Sequence, residues 1–90
     1  MVSLYVEWKL NIKVLFFASC RDLIGTGERA MTLPDGATVT DLISKLAMEQ
    51  ARFTDMAPSL MVSVNQAYVE RDAELQDGDE IAFIPPVSGG

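Results

Sequence analysis

From Asn11 to Ala18, NIKVLFFA, the side chains alternate: Ile12, Val14, Phe16 and Ala18 fall on one side of an extended chain, and Lys13, Leu15 and Phe17 on the other. Such a β-branched and aromatic run predicts a strand. RDLIGTG, Arg21 to Gly27, predicts a short turn of helix stopped by its glycines, and ERAMTL, Glu28 to Leu33, a second strand. That strand ends at Pro34-Asp35-Gly36, where proline fixes φ and glycine accepts a positive one. Next, Val39, Leu42, Ile43, Leu46 and Ala47 recur at i, i+3, i+4, i+7 and i+8, the apolar stripe of a helix with Thr38 as its cap and Asp41 near its positive end. Arg52 to Ser59 carries only a weak pattern, read as a helical turn and loop. LMVSVN, Leu60 to Asn65, alternates as a strand, and Gln66 opens a tight turn into a short strand over Ala67 to Glu70. EIAFIP, Glu80 to Pro85, is the last strand, after the turn Asp77-Gly78-Asp79.

The order strand, strand, helix, strand, short strand, strand predicts an α+β fold, a mixed sheet packed against one main helix. By analogy this is the order of the β-grasp, or ubiquitin-like, fold, whose first and last strands lie parallel at the sheet centre. The expected core is Val14, Phe16, Leu42, Ile43, Leu46, Val62, Val64, Ile81 and Phe83. One helix covers only one face of a sheet. With Lys13 toward water, Leu15 and Phe17 remain on the uncovered side beside Ala82 and Ile84, with Tyr68 nearby; central strands are often apolar on both sides, but a contiguous apolar patch on a small domain more often marks an interface.

Composition narrows the function. Ninety residues make one small domain, which buries about two thirds of the surface of its unfolded chain. A net charge of −6 with seven scattered basic residues argues against nucleic acid, which needs clustered Lys and Arg. The longest unbroken apolar run, Val14 to Ala18, is far too short for a membrane span, so no membrane partner and a cytoplasmic location are expected. Cys20 is the single cysteine and there is no histidine. An internal disulfide, a zinc cluster and a Cys-His or Ser-His couple are therefore excluded, no metal site is expected, and Cys20 reads as an inert packed thiol.

The chain closes on FIPPVSGG. Pro85 and Pro86 fix φ and hold the preceding residues extended, so the segment 85–90 is expected to leave the 11–84 domain as a stiff rod. Extended, those residues reach roughly 20 Å, enough to carry a terminal carboxylate into another protein. Val87 and Ser88 continue the rod, and Gly89 and Gly90, lacking Cβ atoms, suit a narrow channel. By this reading the reacting group is the carboxylate of Gly90 itself, activated as an acyl-adenylate by a separate enzyme that uses ATP.

DGDEIAFIPPVSGG (Asp77 to Gly90), KVLFFASCRDLIG (Lys13 to Gly25) and VNQAYV (Val64 to Val69) together resemble the small-subunit family of molybdopterin synthase, the MoaD-like sulfur carriers. The resemblance covers residues 11–90. It implies a cycle in which an E1-like adenylyltransferase activates the Gly90 carboxylate and a sulfurtransferase route converts it to a thiocarboxylate. The tail then enters the large synthase subunit, where sulfur passes to cyclic pyranopterin monophosphate to build a dithiolene. It also implies an assembly of two large and two small subunits, catalytic groups on the large subunit, and no permanently bound cofactor. Carried over by position, Gly89 threads the channel and Phe17, Arg21, Tyr68 and Ile84 face the partner; Arg21 reads equally as a solvated residue pairing with Asp22. Residues 1–10 precede the family's first strand and read as an extension of uncertain order. A thiamine-type sulfur carrier, a ubiquitin-related protein modifier, and a β-grasp interaction module whose tail never reacts stay open as alternatives.

Overall fold

In a computed structural model, which describes residues 9–86, the elements follow the expected order. They are β1 (Lys9–Phe16), α1 (Ala18–Ile24), β2 (Glu28–Pro34), α2 (Val39–Glu49), α3 (Phe53–Met56), a 3-10 turn (Ala57–Ser59), β3 (Met61–Val64), β4 (Ala67–Tyr68) and β5 (Glu80–Ile84). The five strands form one sheet in the order β2-β1-β5-β3-β4. β1 and β5 run parallel at its centre, with Val14 opposite Ile81 and Phe16 opposite Phe83, and the other pairs are antiparallel. The molecule is a β-grasp.

The helices cover one face, and the alternation of the strands decides which side chains lie beneath them. Ile12, Val14, Phe16, Val62, Ile81 and Phe83 are buried there against Val39, Leu42 and Leu46 of α2. At the centre Phe83 stacks on Phe16, centroids 6.0 Å apart, and meets Phe53 edge-on at 5.4 Å. Ile43 and Val64, expected inside, are half-buried at the margin of this core. α2 starts as its sequence predicts and runs two residues further. The Asp41 amide donates to Thr38 Oγ1, and Asp41 Oδ2 accepts from the Thr38 amide at 2.8 Å, a reciprocal cap that satisfies two donors at the helix start. The same helix shields the exposed edge of β2, where Lys45 Nζ donates to the Thr32 carbonyl at 2.7 Å and Arg29 pairs with Glu49 at 2.8 Å.

Several boundaries differ from the expectation, among them β4, which ends at Tyr68 and not Glu70, and β5, which ends at Ile84 and not Pro85. Among the described residues β1 already includes Lys9 and Leu10, ahead of the expected Asn11, because Leu10 continues the alternation, pairs with Leu33 and is buried; residues 1–8 lie outside the described part. β1 stops at Phe16, since Ala18 adopts φ 50 and turns the chain directly into α1, which begins three residues before Arg21. β3 is trimmed at both ends: Leu60 closes the 3-10 turn, and Asn65 and Gln66, at φ 51 and 72, form the hairpin turn into β4.

Candidate functional site

The face of the sheet opposite the helices carries the apolar residues that the strand alternation leaves outside. Register sets them in rows. Leu15 lies beside Ala82, Ala82 beside Ser63, and Ser63 beside Tyr68, so one row crosses β1, β5, β3 and β4. Along the next row outward Met61 stands opposite Ile84. Apart from Met61, which lies beyond its edge, these side chains line a groove of about 330 Å³ in which Leu15, Phe17, Tyr68, Ala82 and Ile84 meet and Glu80 forms part of the wall. Phe17 is 45% exposed and Tyr68 67%, high values for aromatic rings on so small a domain.

The backbone around each ring explains its position. Phe17 lies past the end of β1 but stays extended, at φ −114 and ψ 150, and its amide donates to the Phe83 carbonyl at 3.3 Å. It therefore keeps the outward side of the alternation before Ala18 bends the chain. Tyr68 is presented by the β3–β4 hairpin, whose turn residue Asn65 is tied to the start of β5. Its Nδ2 donates to Asp79 Oδ1 at 2.9 Å, and its Oδ1 accepts from the Glu80 amide at 3.0 Å. Asp79 is buried and also accepts from the Gln76 amide at 2.7 Å, so its charge is matched by donors.

Charge sits at the border of this face. Lys13 Nζ lies 4.0 Å from Glu28 Oε2, with both groups about half exposed, and Lys13 is the register partner of Glu80. A pair so exposed contributes little to folding. Arg21 is not among the residues lining the groove. Its guanidinium arm packs over Gly27, with Nε 3.5 Å from where a Cβ on that glycine would stand, and it forms no ion pair with Asp22 among the described residues. The structure thus brings together Phe17, Tyr68 and Ile84 and leaves Arg21 beside them on α1. Met61, 47% exposed, extends the apolar surface and was not singled out from the sequence. The alternation of β3 puts it opposite Val62, but only the β3–β5 register places it against Ile84.

β5 leads from this face straight to Pro85 and Pro86. Pro85 is half-buried and Pro86 exposed, and both border a larger cleft of about 630 Å³ between α1 and α3. That cleft carries Asp22, Arg52 and Asp55 and is the more polar of the two, so the smaller apolar groove is the better candidate for a protein contact. Val87, Ser88, Gly89 and Gly90 lie outside the described residues. Elsewhere the chemistry is sparse. Cys20 is fully buried, and burial pushes its thiol from 9.0 up to about 11, which keeps it protonated and unreactive near neutral pH. Among the described residues no cluster of His, Cys, Asp or Glu could hold a metal ion, and no helix is long and apolar enough to cross a membrane.

Known proteins resemble this chain in sequence and fold. A molybdopterin synthase sulfur carrier subunit from Escherichia coli (strain K12) is 43% identical over 81 residues, covering 88% of this chain and 99% of its own. A solved Pyrococcus furiosus protein, provisionally described as molybdopterin converting factor, subunit 1, is 36% identical with a TM-score of 0.78, over 87% of this chain and 99% of that one. The fold also matches a chain in a protein–protein complex of subunits 1 and 2 of molybdopterin-converting factor from Helicobacter pylori 26695. There the TM-score is 0.63 at 21% identity, over 90% of this chain and 100% of that one. The ThiS family model matches residues 14–90, from the second half of β1 through the final Gly-Gly, and the chain belongs to the ThiS family.

Proposed function

We propose that this protein is the sulfur carrier of molybdenum cofactor biosynthesis, working in the cytoplasm as the small subunit of molybdopterin synthase. The observation that carries the reading is the placement of an exposed apolar face on the same central strand, β5, that runs into Pro85-Pro86 and the Gly89-Gly90 end. A partner gripping that face receives the tail in a fixed direction. The name of the E. coli relative and the two-subunit complex from H. pylori support a large-subunit partner.

In this cycle a carboxylate oxygen of Gly90 attacks the α-phosphate of ATP on an E1-like enzyme and releases pyrophosphate. Sulfur delivered through a sulfurtransferase then displaces AMP, leaving a thiocarboxylate. Within the large subunit that sulfur passes to cyclic pyranopterin monophosphate, and two such transfers complete the dithiolene. The carrier supplies a recognisable surface, a strand exit stiffened by Pro85 and Pro86, and the carboxylate of Gly90 preceded by the side-chain-free Gly89; it needs no resident cofactor. Its lack of histidine and its inert Cys20 fit a protein whose acid–base groups come from its partner.

The test is a reconstituted assay containing ATP, the activating enzyme, a sulfur donor, the large subunit and the pterin precursor. Deleting Gly90 is expected to abolish dithiolene formation and leave the melting temperature unchanged, because the buried core is built from residues between Leu10 and Phe83. Normal dithiolene formation by the shortened protein would refute the reading.

A further inference from the structure

Five methionines occur in the sequence, and their surroundings differ sharply. Met31 is buried in the core and Met56 half-buried. Met48 is 87% exposed on α2, away from the apolar groove, and Met61 is 47% exposed on the sheet face itself, directly opposite Ile84; Met1 lies outside the described residues.

We propose that Met61 is a modification site, at which oxidation by a hydroperoxide switches off docking of the partner. The inference rests on the sheet face being the docking surface. One peroxide oxygen is transferred to the thioether sulfur, which loses two electrons, and the peroxide is reduced to water or an alcohol. The product is a sulfoxide, a strong hydrogen-bond acceptor in place of a soft apolar group. On the free domain this oxygen faces water and costs nothing. Under a bound partner it has to be desolvated beside the apolar side chain of Ile84. Folding is spared because the neighbouring Val62 and Phe83, which do belong to the core, point to the other side of the sheet. Met48 is an internal control: it is more exposed, and it sits on α2, on the helical side of the sheet, whereas Met61 is the register partner of Ile84 on the strand that leads to the tail.

The experiment titrates the full-length protein and its Met48→Leu and Met61→Leu variants with hydrogen peroxide. Sulfoxide is then located by peptide-resolved mass spectrometry, and affinity for the cognate large subunit is measured by calorimetry. The expected result is a loss of about tenfold or more that tracks Met61 sulfoxide in the wild type and in Met48→Leu, is absent in Met61→Leu, and is reversed by methionine sulfoxide reductase. In the complex Met61 should oxidise more slowly than in the free protein, while Met48 keeps its rate. Full affinity at complete Met61 oxidation, an equal loss in Met61→Leu, or unfolding of the oxidised protein by circular dichroism each overturns the proposal. If the untreated protein does not bind the large subunit at all, the docking face falls and the proposal with it.

Discussion

Phe83 and Ile84 are adjacent in sequence yet face opposite sides of the central strand, so truncating each should damage a different property. Phe83 is fully buried, stacked on Phe16 at 6.0 Å and met edge-on by Phe53 at 5.4 Å. Phe83→Ala leaves a cavity there and is expected to cost about 3–5 kcal/mol of folding stability. For a chain of this length total stability is on the order of 5–13 kcal/mol, so the loss is a large fraction of the whole. Ile84 is half-exposed in the groove, and under the proposed docking its remaining exposed surface is the part that a partner covers. Ile84→Ala should therefore cost less than about 1.5 kcal/mol in folding but about 1–2 kcal/mol in binding the large subunit, roughly a tenfold loss of affinity. Urea unfolding followed by circular dichroism gives the first quantity at unchanged slope, and calorimetry on the folded variant gives the second. An Ile84→Ala protein that loses several kcal/mol of stability and binds normally would refute the assignment of the two faces.

Other consequences are more local. Thr38→Ala removes the hydroxyl that accepts from the Asp41 amide and should lower stability by about 1 kcal/mol, read from the urea midpoint. Arg71→Met removes the guanidinium that donates to the Ala57 and Leu60 carbonyls at 2.9 and 2.7 Å, and a loss of about 2 kcal/mol is expected by the same measurement. The Cys20 thiol, raised from 9.0 to about 11 in the fold, loses its proton first in the unfolded chain. Its contribution is thus intact below pH 9 and is lost as pH rises toward 11, so the wild type should lose more stability across that window than Cys20→Ala. Parallel curves for the two proteins would contradict the burial of that thiol.

What the sequence revealed and what it concealed follow from the range of the interactions. The stripe of α2 and its Thr38 cap are local and were legible, as was the alternation that separates Phe16 from Phe17 and Phe83 from Ile84. The end of β1 was not, because the φ of 50 at Ala18 leaves no mark on an apolar side chain in an apolar run. Phe17 kept its predicted side only because it stays extended for one residue past the strand. Two large core residues sit in segments without period. Phe53 belongs to a single helical turn, and Leu75 to a long connection held by its amide's bond to the Ala37 carbonyl at 2.8 Å. The place of Met61 in the face depends on the β3–β5 register, a pairing between distant segments that no local pattern encodes. Arg21 could be carried over from the family's pattern, but its packing on Gly27 follows from the tight return of α1 into β2.

The central claim is that Gly90 bears the sulfur, and the most direct measurement is the mass of the C-terminal peptide from protein purified out of its own host. Peptide resolution is essential, since replacing oxygen by sulfur changes the intact mass almost as adding one oxygen to a methionine does. The account predicts a fraction of that peptide with one oxygen exchanged for sulfur at Gly90, restored by ATP, the activating enzyme and a sulfur donor after it has been discharged. A peptide that is never thiolated under those conditions, or one recovered only as an amide linked to a lysine of another protein, would contradict it.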